Sequence, residues 1–188
     1  DLAPVAQRVL ELEPVILQHY RQLVDQRLTA ARIRIHGDCH LGQVLWTGRD
    51  FAFLDFEGDA SVPISERRIK RSPLRDVARM VRSFHHAAYA GFHQQADLGV
   101  IGRENLSKFE PWVRHWNRAV SLAYLQAYTE KLHGSGILPV EEDKLRMMML
   151  AYLLNQVIEE LGGELRSHSD GVRAPLRAIV LLTEEQMP

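Results

Sequence analysis

The chain has 188 residues and a formal net charge of −1, and 46% of its residues are hydrophobic and 25% charged. This composition is that of an ordinary globular protein, and the length suits one domain with a substantial core. The near-neutral charge argues against a general nucleic-acid or anionic-membrane surface, so we expect neither partner. Cys39 is the only cysteine, which excludes an intramolecular disulfide. No apolar run is long enough to span a bilayer and no signal-peptide layout opens the chain, so we expect a cytoplasmic protein.

Apolar residues recur at helical spacing along most of the chain. Pro14 interrupts the first such segment, so we expect a kink or break there. Ser72-Pro73 opens the second segment, because proline suits the first helical position, and a connector is expected over 91–105. A short strand is expected over 33–35. The helical segments cover residues 2–27, 74–88, 107–132, 141–161 and a short stretch after Pro175. Gly162-Gly163 weakens the fourth segment, and its continuation over 164–166 is left open.

Two apolar runs around a Gly/Asp turn predict a β-hairpin. They are Val44 to Thr47 and Phe51 to Leu54. In such a hairpin Gln43 and Asp55 lie side by side, and Asp38, on the loop that feeds the first strand, reaches the same point. Two carboxylates and an amide at one sheet end can hold a divalent cation and orient a hydroxyl. The fold class expected is therefore mainly α with a small β-hairpin (α+β), with candidate chemistry at the hairpin.

The spacing of these residues matches a phosphoryl-transfer template. In protein kinases a base Asp is followed after four residues by a metal-binding Asn, and a second metal-binding Asp follows the next strand. Here Asp38 is followed after four residues by Gln43, and Asp55 comes after the hairpin. Mg²⁺ accepts hard oxygen ligands, so a Gln carbonyl can replace an Asn carbonyl.

Three stretches of this sequence resemble the maltokinase family, including maltokinase domains fused to trehalose synthase. They are HGDCHLGQVLW, FLDFEGD and SERRIKRSPLRDVARMVRSFHHAAYA. That family is similar to aminoglycoside phosphotransferases and shares their protein-kinase-like fold. The resemblance implies that residues 1–188 are a single domain, a C-terminal lobe with a helical body around a catalytic loop and hairpin. It also implies that the nucleotide-binding N-terminal lobe is absent from these residues. The expected partners of the chain are that lobe and, in fused members, a trehalose synthase domain.

The resemblance implies ATP- and Mg²⁺-dependent phosphorylation of a sugar hydroxyl, with maltose converted to maltose 1-phosphate. The isolated chain is expected to be weakly active or inactive without the other lobe. The roles that the family carries over are a catalytic base at Asp38, magnesium ligands at Gln43 and Asp55, a further carboxylate near the metals at Glu57, and a support of the catalytic-loop backbone at Asp76.

The predicted sugar pocket departs from the family's pattern, L-x-K-A-x-Y-E-x-x-Y-E. Gln156 stands at the Lys position and Glu159 at the first Tyr, while Glu160 and Glu164 remain and share one helix face. The change makes the pocket more acidic, which suits an amino sugar, and bacterial glucosamine kinases are related to maltokinases. The alternative is drift in a catalytically inactive kinase-like lobe with a docking or regulatory role.

A metal-dependent hydrolase is a further alternative, since His36, Asp38, His40 and Asp55 resemble a His/Asp metal site. Against it, Gly37 suits a tight loop better than a rigid ligand strand, and the kinase interpretation accounts for Gln43 as well. In that interpretation His36 and His40 support the catalytic loop.

The segment 57–73 is expected to be a long surface loop that carries a run of basic residues. Such a run is commonly a solvated face, but beside a phosphate site it can attract an anion. The run comprises Arg67, Arg68, Lys70 and Arg71.

Overall fold

The computed structural model describes residues 2–167 and 170–184. It is mainly helical with one two-stranded antiparallel hairpin, which confirms the predicted fold class. Among the described residues, no helix has the length and apolar character needed to cross a membrane. The elements are α1 (Ala3–Glu11), α2 (Glu13–Val24), β1 (Val44–Trp46), β2 (Phe51–Phe53), α3 (Ile64–Arg67), α4 (Leu74–Asp97), α5 (Leu106–Leu132), α6 (Glu142–Ser167) and α7 (Arg173–Glu184).

Internal contacts divide the chain into two compact units. The terminal unit consists of the described residues within 1–32 and 136–188, and the central unit of residues 33–135. The terminal unit contains α1, α2, α6 and α7, and the central unit contains the hairpin with α3, α4 and α5. That the whole chain is one lobe of a larger enzyme stays a prediction.

The terminal unit is a helical assembly around a small apolar core. Leu12 and Ile16 pack with Val157 of α6 and with Ala178 and Ile179 of α7. The first helical segment breaks between α1 and α2, and Pro14 lies in the first turn of α2. Proline has no backbone N–H, which is harmless there because N–H groups in the first turn have no acceptor within the helix. The predicted break is therefore confirmed.

Helix α6 continues through Gly162-Gly163 to Ser167, so the continuation over 164–166 that the sequence left open is confirmed. One predicted boundary in the terminal unit differs from the structure. Helix α7 begins at Arg173, ahead of Pro175. The first turn of a helix tolerates proline, since its N–H groups have no partner within the helix.

The central unit has its core between helices α4 and α5 and residues 36–43, which we call the catalytic loop after their predicted role. Cys39, Met80 and Phe84 are buried together, and Phe84 meets Tyr124 of α5 edge-on with ring centroids 5.5 Å apart. Helix α4 extends to Asp97, so the prediction of a connector from residue 91 was wrong for 91–97. The buried side chains of Phe92 and Ala96 hold these last turns despite Gly91.

The segment between the hairpin and α4 is less irregular than predicted. It contains the helical turn α3, and Arg71 forms one antiparallel bridge with Ile33. The strand predicted over 33–35 is reduced to this bridge. The bridge brings the segment 58–71 beside the chain that leads into the catalytic loop.

Candidate active site

The hairpin register places Gln43 and Asp55 at the same end of the sheet. Val44 pairs with Phe53, and the Leu54 N–H donates to the Gln43 carbonyl at 2.9 Å, so the ladder continues by one residue beyond the strands. Asp55 follows directly after Leu54. The local alternation of apolar residues therefore suffices to bring this amide and this carboxyl-bearing residue to one edge.

His36 ties the catalytic loop to the end of β2. Its Nε2 lies 2.6 Å from the Leu54 carbonyl oxygen, and its Nδ1 lies 3.3 Å from the backbone nitrogen of Asp38. A carbonyl only accepts and a backbone N–H only donates, so this pattern corresponds to the neutral Nε2–H tautomer. Both ring nitrogens are engaged with the backbone, which leaves the metal-hydrolase alternative without one of its ligands. The side chain is 8% exposed.

Asp76 holds the same loop from the first turn of α4. Its carboxylate accepts hydrogen bonds from the N–H of His36 at 2.7 Å and from the N–H of Gly37 at 2.9 Å. Gly37 has φ of 85°, a conformation that glycine adopts without strain. A carboxylate near a helix N-terminus is also favoured by the helix dipole. The two backbone N–H groups are thus each bound by one oxygen of the Asp76 carboxylate, which α4 holds in place.

The side chain of Asp38 is 28% exposed and is held by Arg79. Arg79 Nη1 donates to Asp38 Oδ1 at 2.6 Å, and Arg79 Nη2 lies 3.6 Å from Asp59 Oδ2. The Ser61 hydroxyl and N–H, together with Arg79, lower the pKa of Asp59, the hydroxyl hydrogen bond contributing most. Arg79 was not among the residues predicted from the sequence. The available signal was its place one helical turn after Asp76, on the same face of α4.

His40 and Gly42 shape the turn between Asp38 and the hairpin. His40 Nε2 is 3.5 Å from Asp38 Oδ2, and its Nδ1 accepts from the Gly42 N–H at 3.1 Å. A Cβ at position 42 would lie 2.7 Å from His40 Cε1, so a side chain there would displace the imidazole. The Gln43 N–H donates to the His40 carbonyl at 2.9 Å.

Asp55 and Glu57 are both exposed at the hairpin end. Asp55 has φ of 55° and is the only non-glycine residue with positive φ in the part of the chain that the structure describes. Such strain is found where a function requires a particular backbone geometry. Within residues 2–167 and 170–184, no three His, Cys, Asp or Glu side chains come together as a metal site. Gln43 and Asp55 offer hard oxygen donors of the kind Mg²⁺ prefers, but the magnesium roles of these residues and of Glu57 stay predictions.

The predicted sugar-binding residues Gln156, Glu159, Glu160 and Glu164 lie on α6, in the terminal unit. Glu159 is exposed and accepts a hydrogen bond from Asn155 Nδ2 at 2.8 Å. Burial, and secondarily the charge of Glu159, raise the pKa of Tyr20. Three of the four predicted residues, Glu159, Glu160 and Glu164, are acidic.

The fold is kinase-like, and the solved structures that share it include glucosamine kinases. A glucosamine kinase in complex with glucosamine, ADP and inorganic phosphate aligns with a TM-score of 0.70 at 21% identity, over 98% of this chain and 40% of that one. A second glucosamine kinase structure, crystal form A, aligns with a TM-score of 0.68 at 22% identity, over 96% of this chain and 40% of that one. At these identities the likeness establishes the fold.

Curated relatives carry the same name. The glucosamine kinase of Streptacidiphilus jiangxiensis is 27% identical over 126 residues, which are 67% of this chain and 26% of the relative. The glucosamine kinase of Mycolicibacterium smegmatis is 29% identical over 127 residues, which are 65% of this chain and 28% of the relative. The aligned part thus amounts to about a quarter of these relatives' length. No family model matches the chain.

Proposed function

We propose that this chain is part of an ATP- and Mg²⁺-dependent sugar kinase, which transfers a phosphoryl group from ATP to a sugar hydroxyl. The observation that carries the proposal is the anchoring of the loop containing Asp38. Asp76 binds the loop's backbone, His36 ties the loop to the hairpin, and Arg79 fixes the carboxylate. Phosphoryl transfer depends mainly on such positioning, because few protein groups take part in bond making.

In this proposal each residue at the hairpin end has one task. Asp38 orients the acceptor hydroxyl and takes its proton, and its partial exposure leaves room for that hydroxyl. Gln43 and Asp55, with Glu57 beside them, would hold Mg²⁺, which when bound neutralises charge on the phosphates. His36, His40 and Asp76 keep the loop in shape.

We further propose that the acceptor is an amino sugar, glucosamine or a close analogue. The two curated relatives described above are named glucosamine kinases, and neither name refers to maltose or to trehalose synthase. The carboxyl-bearing residues Glu159, Glu160 and Glu164 on α6 suit a sugar that carries an ammonium group, since opposite charges attract.

A nucleotide-binding lobe is proposed as the partner of the hairpin. Leu45, Trp46 and Phe51 are 55%, 61% and 62% exposed. Neighbouring apolar side chains that remain exposed commonly mark a contact surface. The aligned part is about a quarter of the matched relatives' length, so their chains have room for such a lobe.

The proposal is tested by a phosphorylation screen of glucosamine, maltose and glucose with the full-length protein, ATP and Mg²⁺. We expect glucosamine to be the preferred acceptor and Asp38→Asn to reduce kcat by about 10² to 10⁴. Asp97→Asn, an exposed aspartate at the far end of α4, is the matched control and should leave the rate unchanged.

Each remaining outcome selects an alternative. A wild-type rate in Asp38→Asn would remove the proposed base. A folded protein that phosphorylates none of the three sugars would favour the inactive docking lobe. Stoichiometric zinc in the purified protein would favour the metal-dependent hydrolase, because a kinase lobe should carry none.

A further inference from the structure

A cavity of about 160 Å³ lies in the central unit, between the start of the catalytic loop and the segment that precedes α4. The backbone approaches closely here, since a Cβ at Gly58 would lie 3.0 Å from the His36 carbonyl oxygen. Three arginines line this cavity: Arg67, Arg71 and Arg75. Two of them belong to the basic run noted in the sequence, and the third lies in the first turn of α4.

The positive charge of the cavity is only partly compensated. Asp59 also lines it, but its carboxylate accepts from the Ser61 hydroxyl at 2.6 Å and faces Arg79. Glu66 is the other acidic lining residue, and it is exposed. Two acidic residues therefore face three arginines, and one of the two is already engaged elsewhere.

The arginines retain unused donors. Arg67 Nη1 donates to the Glu57 carbonyl at 3.2 Å, while Arg67 Nε is buried without a hydrogen-bond acceptor. Among the described residues, Arg71 and Arg75 form no side-chain ion pair. A buried donor without an acceptor is costly, and three like charges around one cavity disfavour one another unless an anion lies between them.

We propose that this cavity binds a small oxyanion of the phosphate class, either inorganic phosphate or the phosphate group of a phosphorylated metabolite. The planar guanidinium group matches the oxygens of such an anion with paired donors. An anion bound by Arg67, Arg71 and Arg75 connects the segment 58–71 with the first turn of α4. It lies beside His36 and Gly37, whose N–H groups Asp76 holds.

The site is separate from the proposed sugar phosphorylation and does not depend on it. Its expected consequence is order in the segment 58–71, because a ligand that binds only the folded arrangement stabilises that arrangement. The segment follows directly after Asp55 and Glu57, so occupancy of the cavity would restrict the chain next to the hairpin end.

The test is a calorimetric titration of the purified protein with inorganic phosphate at constant ionic strength, balanced with KCl. We expect saturable binding that Arg71→Gln and Arg75→Gln each weaken about tenfold or more, as loss of a charge-assisted hydrogen bond implies. Arg68→Gln is the matched control, because Arg68 is an exposed neighbour that does not line the cavity, and it should bind as the wild type does. A parallel titration with glucose 6-phosphate distinguishes the two sources: tighter binding with the same dependence on Arg71 identifies a phosphorylated metabolite.

Unchanged phosphate affinity in both Arg71→Gln and Arg75→Gln would overturn the inference, as would equal weakening by Arg68→Gln. If both cavity variants misfold, hydrogen–deuterium exchange of the wild type decides. Phosphate-dependent protection of 58–71 supports the cavity site, and protection confined to the hairpin or to other segments refutes it. The latter result would leave the sugar-kinase proposal standing, since phosphate could then occupy the nucleotide site.

Discussion

Arg79 Nη1 lies 2.6 Å from Asp38 Oδ1. The guanidinium group is largely buried, with 11% of the Arg79 side chain exposed, and its other terminal nitrogen faces Asp59 at 3.6 Å. Helix α4 thus holds the catalytic loop twice, through the backbone at Asp76 and through the side chain of Asp38 at Arg79. The second attachment determines where the proposed base can point.

Replacement of Arg79 by Gln should lower the free energy of unfolding by about 1–3 kcal/mol, because it leaves Asp38 and Asp59 without their shared cation. In the proposed kinase, kcat should fall more than the KM for the sugar changes, since Arg79 orients the proposed base Asp38 without binding the acceptor. Arg79→Lys should restore part of the loss. Urea denaturation and steady-state kinetics measure these effects.

The control for this prediction is Arg103→Gln. Arg103 pairs with Asp97 at 3.1 Å, but the two side chains are 81% and 71% exposed. Exposed pairs contribute little, so the change should stay within about 0.5 kcal/mol. Equal destabilisation by both substitutions would show that the partly buried Arg79–Asp38 pair contributes no more to the free energy of unfolding than an exposed pair does.

Asp76→Ala should destabilise the protein by about 2–4 kcal/mol, because two backbone N–H groups lose their acceptor at once. Asp76→Asn keeps one acceptor oxygen and should cost less. Urea denaturation gives the size of the effect, and NMR hydrogen exchange of the His36 and Gly37 amides shows its location. Faster exchange throughout the molecule, without a larger effect at these two amides, would contradict the assigned role; Asp97→Ala at the other end of α4 should leave both amides unaffected.

Asp55→Gly should be more stable than Asp55→Ala by about 1 kcal/mol. The two variants lose the same carboxylate, but alanine is strained at φ of 55° and glycine is not. The difference between their urea midpoints measures this strain directly. Gly48→Ala is the control, because Gly48 has φ of 91° and no neighbour within 4 Å of an added Cβ, so it should show a loss of similar size. A more stable alanine variant would mean that residue 55 does not hold this conformation.

Cys39 should react slowly with iodoacetamide until strongly alkaline pH. Burial, and then the nearby charges of Asp76 and Asp38, raise the pKa of its thiol to about 11, and the thiolate is the reactive form. The folded state therefore holds the thiol proton more tightly than the unfolded state, whose pKa is about 8.5. Protonated Cys39 contributes fully to the free energy of unfolding below about pH 8.5, and this contribution is lost as pH rises towards 11. Labelling of this single cysteine in buffer and in urea measures both states. Rapid labelling of the native protein at pH 8 would contradict the prediction.

Local rules were enough to predict several elements of the fold. The hairpin follows from two short apolar runs around a turn, and the break before α2 follows from a single proline. The end of α4 was predicted too early, because Gly91 lowers the intrinsic helix propensity there. Gly162-Gly163 has the same effect in α6 and left the end of that helix open in the sequence. Burial of Phe92 and Ala96 outweighs that preference in α4, and burial is a property of the folded chain.

The amino-acid sequence by itself determined which chemical groups this protein has and their order. Asp38, Gln43 and Asp55 stand at spacings that predict a loop and a hairpin, and the hairpin register places Gln43 and Asp55 at one end of the sheet. Only the tertiary structure decided what surrounds them. Asp38 meets Arg79 across 41 positions of the chain, and Arg67 and Arg75 line a common cavity only because the segment before α4 lies beside the catalytic loop. Periodicity and turn chemistry act over a few residues, whereas ion pairs and cavities depend on packing between segments that are distant in sequence.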